Sequence, residues 1–157
     1  MEFKFTVENH EKVVKLFDNY PTKKAAVMPV LYIAQEQNGY ISGEVIKEVS
    51  TMLEITEEDV MGVVTFYTMY HQHKPGKYHL QVCTNVSCML RGAYDIWEAV
   101  KAKTGLKNGE TSADGLFSLE EVECMGSCGT APMIAVNEDF HENLTKEKAL
   151  ELIDSLN

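Results

Sequence analysis

The apolar residues of this chain change their spacing once, and that change limits the possible folds more than any other feature. Before Lys74-Pro75-Gly76 they recur at helical spacing, and after it they alternate as in a strand. The Pro-Gly pair is itself a turn signal. The sequence therefore predicts an α/β protein, with an N-terminal helical bundle over residues 1–76 and a small α/β domain over residues 77–157.

The first half is predicted to form four helices. Their predicted end residues are small polar residues or glycine, namely Thr22, Gly39, Ser42 and Thr56. Thr56 and Asp59 have the spacing of a capping box. Pro29 lies inside the second predicted helix and should kink it, because proline lacks a backbone donor. The fourth helix is predicted to end near His71 and His73, a pair that suits a helix C-terminus better than a metal site.

The second half is predicted to alternate between strands and helices. Strands are predicted over 78–82, 116–122 and 133–136, and helices over 91–104 and 145–156. The first strand alternates as if half-buried, whereas the third is apolar throughout and suits burial on both faces. This order predicts helices packed on a central sheet.

All four cysteines lie in the second half, as Cys83-x4-Cys88 and Cys124-x3-Cys128. Each pair follows a predicted strand, so two adjacent strand ends would bring both loops to one edge of the sheet. Four thiolates from two loops can complete a tetrahedron around each iron of a 2Fe–2S cluster. Cys88 is expected just before a helix that begins near Arg91, whose N-terminus would favour an anionic group. Arg91 either adds a positive charge there or is simply exposed.

Other uses of four cysteines match the spacing less well. Structural zinc usually takes Cys-x2-Cys pairs, and thiol oxidoreductases need Cys-x-x-Cys. A four-iron ferredoxin would have a denser cysteine run, and a Rieske centre would need two nearby histidines, whereas His79 lies on the preceding strand. Zinc remains an alternative to be separated by metal analysis.

The charge of −10 argues against binding to nucleic acid or to an anionic membrane surface. No apolar run reaches the roughly 18 residues of a membrane span, and the N-terminus has no signal-peptide pattern. We therefore expect no membrane insertion and a cytoplasmic location, where structural disulfides are rare.

The chain resembles the thioredoxin-like 2Fe–2S ferredoxins that form the small iron–sulfur subunit of complex I, the NADH:quinone oxidoreductase. Similar subunits occur in NAD-linked hydrogenases and formate dehydrogenases. The segments that carry the resemblance are Lys24-Ala25-Ala26-Val27-Met28-Pro29-Val30-Leu31, Gln35-x3-Gly39-Tyr40-Ile41, Gly62-Val63-Val64-Thr65-Phe66-Tyr67-Thr68, Val82-Cys83-Thr84-x3-Cys88-x-Leu90-x-Gly92 and Cys124-Met125-Gly126-Ser127-Cys128-x2-Ala131-Pro132-Met133-x3-Asn137.

The resemblance implies a helical bundle before a thioredoxin-like domain, with Cys83, Cys88, Cys124 and Cys128 as ligands of one 2Fe–2S cluster. It also implies a partner flavoprotein that binds FMN and NADH, further iron–sulfur subunits, and a place on the peripheral arm of a larger complex. The expected function is electron transfer near that FMN; the alternative is a free-standing ferredoxin-like carrier. The sequence has no Gly-x-Gly-x-x-Gly or Walker-type loop, so we expect no active site of its own.

Two further groups of residues have more than one interpretation. A segment rich in aromatic residues and methionine could dock the flavoprotein or belong to the core; it contains Met61, Phe66, Tyr67, Met69 and Tyr70. Met89 and Met125 flank cysteines and could shield a cluster from water. Trp97 is expected in the core.

Overall fold

The computed structural model describes residues 2–156. The chain divides into two compact units, Met1–Lys74 and Pro75–Asn157, and each is described by itself. The division of the sequence into domains at residue 76 stays a prediction about which segments fold independently. No helix among the described residues has both the length and the apolarity that a bilayer crossing needs.

The first unit is helical. Its helices are α1 (Val7–Leu16), α2 (Val27–Asn38), α3 (Gly43–Leu53) and α4 (Glu57–Phe66), with short 3-10 turns at Phe17–Asn19 and Lys23–Ala26. Ser42 and Thr56 cap α3 and α4 as predicted, each accepting a hydrogen bond from the amide three residues on. Gly39 ends α2 with a φ of 86°. The buried apolar residues of this unit form one core.

Pro29 does not kink a long helix. Thr22 caps the 3-10 turn that precedes α2, and α2 itself begins at Val27. Pro29 therefore lies in the first turn of α2, where backbone N–H groups have no intrahelical partner and its missing donor costs nothing.

The fourth helix is shorter than predicted, because tertiary contacts hold the segment after Phe66. The Gln35 side chain donates to the Met69 carbonyl at 2.8 Å and accepts from the His71 amide at 2.8 Å. The Tyr70 hydroxyl donates to the Met28 carbonyl at 2.9 Å. His71 therefore lies in a loop rather than at a helix end, and so does His73.

The second unit is a sheet with helices against it. Its elements are β1 (Tyr78–Cys83), α5 (Val86–Leu90), α6 (Ala93–Thr104), β2 (Glu110–Thr111), β3 (Phe117–Val122), β4 (Ile134–Val136), β5 (Asp139–His141) and α7 (Lys146–Ser155). The strand order is β2-β3-β1-β4-β5. β1 and β3 are parallel, and the other pairs are antiparallel. α6 packs on β1, β3 and α7, and Trp97 lies in the core as expected.

The structure of this unit differs from the sequence-based expectations in three places. β1 is not half-buried, because it lies between β3 and β4, and Gln81 is buried as well. The helix predicted over 91–104 is α6, which begins at Ala93 after Gly92, whose φ is 93°, and the short helix α5 before it was not predicted. The short strands β2 and β5 were missed, since two or three residues show no periodicity.

Candidate metal centre

The first cysteine pair lies at the junction of β1 and α5. Cys83 is the last residue of β1, Cys88 lies within α5, and both are buried. Asn85 caps α5 through its Oδ1, which accepts from the Val86 amide at 2.7 Å. Cys88 is therefore inside a short helix, and the longer helix α6 begins at Ala93, two residues after Arg91, so the effect of its N-terminus on the site stays a prediction. Arg91 follows α5 and is exposed.

The second pair lies in the loop after β3. One residue separates Cys124 from the end of β3, and Cys128 is the first residue of a 3-10 turn, Cys128–Thr130. Both are exposed, and their sulfur atoms are 4.0 Å apart. Gly126, with a φ of 80°, donates its N–H to the Cys124 Sγ at 3.4 Å. This φ favours glycine, because a Cβ would be strained there.

The two pairs meet at one edge of the sheet, which confirms the prediction from strand order. Cys83 is in register with Val122 at the carboxyl ends of the parallel strands. The Thr84 amide donates to the Val122 carbonyl at 3.2 Å, and the Cys83 thiol donates to the Glu123 carbonyl at 3.3 Å. Parallel strands end at the same edge, so the loop after β1 and the loop after β3 lie side by side.

Electrostatic interactions of Cys88 connect the two cysteine pairs. Burial raises the pKa of Cys88 to about 11, and the neighbouring thiols of Cys83 and Cys128 raise it as well. The Met133 N–H acts in the opposite direction by hydrogen bonding to Cys88. The Met133 carbonyl accepts from the Cys83 amide at 3.4 Å. Cys88 is therefore in electrostatic contact with a member of each pair, and it is a thiol at neutral pH in the metal-free chain.

The donor set fits a two-iron cluster. Within residues 2–156, no three His, Cys, Asp or Glu side chains are arranged to hold one metal ion. The sulfurs lie as two pairs, and a 2Fe–2S cluster takes two thiolates on each iron. Amide groups directed at sulfur, as at Gly126 and Met133, are typical of such sites. His79 bonds to Ser118 Oγ at 2.7 Å and to Glu120 Oε2 at 3.1 Å, on the strands rather than in the cysteine loops.

Methionines lie around the thiols, although not in the way predicted. Met125 is partly buried against the small core that contains Cys83 and Cys88, whereas Met89 is exposed. Met133 is buried in that core and was missed, since its role is carried by main-chain atoms that no sequence pattern marks.

Four exposed apolar residues lie in α5 and the first turn of α6. We call this set the α5 patch, and it consists of Val86, Met89, Leu90 and Tyr94. Leu90 is 77% exposed and Val86 60%. In the first unit, Phe66 is also 77% exposed, so the core interpretation of Phe66 was wrong, whereas Tyr70 is buried.

Comparison with known proteins finds, over nearly the whole chain, the family whose resemblance the sequence motifs indicate. The family described as Thioredoxin-like 2Fe-2S ferredoxin matches residues 13–157. An E-type subunit of the NADH-quinone oxidoreductase of Rhizobium meliloti is 39% identical over 145 residues, 92% of this chain and 86% of that protein. The corresponding E-type subunit of the NADH-quinone oxidoreductase of Rickettsia conorii is 40% identical over 157 residues, 98% of this chain and 94% of that protein.

Solved structures show the same fold. A chain of an NAD+-reducing NiFe-hydrogenase in its H2-reduced state matches with a TM-score of 0.70 and 18% identity. The match covers 83% of this chain but 22% of the hydrogenase chain. At this identity the likeness is one of fold alone, and it agrees with the expected α/β architecture.

Proposed function

The chain belongs to the thioredoxin-like 2Fe–2S ferredoxin family, and from that premise we propose that it carries one 2Fe–2S cluster and transfers single electrons as a subunit of an NADH-linked multisubunit oxidoreductase. The ligands are Cys83, Cys88, Cys124 and Cys128. The observation that carries the proposal is the position of both cysteine pairs at the adjacent carboxyl ends of parallel β1 and β3. When bound, such a cluster supplies a one-electron couple.

The chain's own groups have separate tasks in this function. The thiolates hold the irons, and the Gly126 and Met133 amides stabilise negative charge on sulfur. Burial of Cys83 and Cys88 keeps water from one side of the site, while Cys124 and Cys128 face solvent. The site has an exposed side at which electrons can enter or leave.

The proposed partner is a flavoprotein that binds FMN and NADH, within a complex that contains further iron–sulfur subunits. Relatives of this chain are called subunits of NADH-quinone oxidoreductase. The α5 patch supports a subunit rather than a free carrier, because several exposed apolar residues close to Cys88 along the chain suit a lasting contact with another protein. We place the chain in the cytoplasm, on the peripheral arm of such a complex.

Metal analysis tests this proposal directly. Iron, zinc and acid-labile sulfide are measured per chain on protein purified without oxygen, followed by EPR spectroscopy after dithionite reduction. Two irons, two sulfides and one spin-half signal are expected. Zinc without sulfide, and no EPR signal, would show that the cysteines form a structural site.

Purification from native cells separates the subunit from the free-standing carrier. A stoichiometric flavin-containing partner is expected to remain bound through gel filtration. Recovery of the chain as a lone monomer that contains the cluster would instead support the carrier.

A further inference from the structure

The two cysteine loops are joined by carboxylate side chains of β3 and the residue after it. Thr84 Oγ1 donates to Glu121 Oε1 at 2.8 Å, and Asn85 Nδ2 donates to Glu123 Oε2 at 3.2 Å. Thr84 and Asn85 directly follow Cys83, while Glu123 directly precedes Cys124. Glu123 therefore joins the two cysteine loops, and Glu121 joins the first loop to the end of β3.

Asn85 extends this connection to Cys88. Its Oδ1 caps α5 at the Val86 amide, and its carbonyl accepts from the Met89 amide at 2.8 Å. The same side chain thus fixes the start of the helix that contains Cys88 and binds the residue next to Cys124. Asn85 therefore connects Glu123, the residue before Cys124, to the helix that contains Cys88.

These carboxyl groups are also close to Cys124 along the chain. Their partners Thr84 and Asn85 are uncharged, and among residues 2–156 neither Glu121 nor Glu123 forms an ion pair with Lys, Arg or His. A 2Fe–2S cluster with four thiolates has a formal charge of about −2, which reduction makes about −3. Fixed negative charges nearby oppose the added electron.

We propose that Glu121 and Glu123 are positioning residues that hold the two cysteine loops in register and lower the reduction potential of the cluster. This inference rests on the proposed function, since it requires the cluster. Glu121 is half-buried and Glu123 is exposed. The effect of Glu121 on the reduction potential should therefore persist at high salt better than that of Glu123, because exposed charges are screened more strongly.

Carboxamide variants separate charge from hydrogen bonding. Glu121→Gln and Glu123→Gln keep an oxygen that accepts from Thr84 or Asn85 but lose the charge. The midpoint potential of the loaded full-length chain is measured by EPR-monitored redox titration, with Glu151→Gln on the exposed face of α7 as the matched control. At a fixed potential, each site variant should have a ratio of reduced to oxidised cluster at least threefold higher than the control. For a one-electron couple this corresponds to a midpoint potential about 28 mV higher.

The positioning role is tested in the metal-free chain by hydrogen exchange. Glu123→Ala removes the acceptor, and the amides of Thr84 and Met89 should exchange faster, whereas Glu123→Gln should retain wild-type exchange. Equal exchange in the two variants would overturn the positioning role. Potentials equal to that of Glu151→Gln, or a carboxamide variant that takes up no cluster, would overturn the electrostatic role. A wild-type chain without iron and sulfide would instead overturn the proposed function itself.

Discussion

Gly76 shows at the scale of one residue how closely the start of the second unit approaches the sheet. A Cβ at this position would be 2.5 Å from the carbonyl carbon of Phe117, a main-chain atom of β3. The Gly76 amide also donates to Ser118 Oγ at 3.1 Å. Any larger residue here must displace the backbone of β3, the strand that leads to Cys124.

We therefore predict that Gly76→Ala destabilises the second unit by about 1–3 kcal/mol, the usual cost of overpacking. Denaturant unfolding measures the changes in stability, followed by Trp97 fluorescence for the second unit and by far-UV circular dichroism for the helical first unit. Gly62→Ala is the control, because a Cβ there has no neighbour within 4 Å and the residue lies inside α4. That variant should gain up to about 1 kcal/mol. Equal stability of Gly76→Ala and wild type would contradict the close approach.

Individual residues of the site could be predicted only where chemistry follows from spacing along the chain. Cys83 and Cys124 could be placed together, since each follows a strand and neighbouring parallel strands end at one edge. The Asn85–Glu123 hydrogen bond spans 38 residues and has no local pattern. Met133 acts through its main-chain atoms, which are the same for every residue type except proline.

At the scale of secondary structure, α5 departs most from the sequence-based prediction. One helix was expected over 91–104, but Gly92 adopts a positive φ and separates five residues of α5 from α6. A five-residue helix is too short to show a helical period. This break places Cys88 on the buried side of α5 and leaves Leu90 on the exposed side.

We predict that the α5 patch binds the partner subunit, since three of the five residues of α5 are exposed and apolar. Leu90→Asp is expected to weaken association with the flavoprotein at least tenfold, or about 1.4 kcal/mol. Pull-down with graded salt, or calorimetry of the isolated subunits, measures the affinity.

The matched control is Phe140→Asp, which places the same charge at a half-exposed aromatic residue of β5. Iron and sulfide content should stay at the wild-type level in both variants, because both side chains are exposed. If the two variants bind the partner equally well, the docking role of the α5 patch is wrong.

At the scale of the whole molecule, each unit has a core of its own. The buried residues of the first unit's core all come from residues 3–70. Those of the second unit's two cores all come from residues 80–153. The change of hydrophobic period predicts a division at residue 76, because the period reflects local structure, and this division into domains stays a prediction. The positions of Pro29 and of the end of α4 depended on contacts between helices and could not be read from the period.

We predict that a fragment beginning at Pro75 folds and takes up the cluster without the first unit. A fragment beginning at Tyr78 should be less stable, because it lacks Gly76 and the Lys77 amide that donates to the Gly115 carbonyl at 2.8 Å. Thermal unfolding by circular dichroism and iron content compare the two fragments. An unfolded 75–157 fragment would show that the units do not fold independently.

The short edge strands of the sheet affect how readily this chain aggregates before it assembles with its partner. β2 has two residues and β5 has three, so the sheet offers few free backbone groups at either side. Long, flat outer strands invite pairing with other chains and lead to aggregation. A subunit with an apolar patch on α5 must not aggregate before it binds its partner. The short edge strands limit strand pairing between copies of the chain.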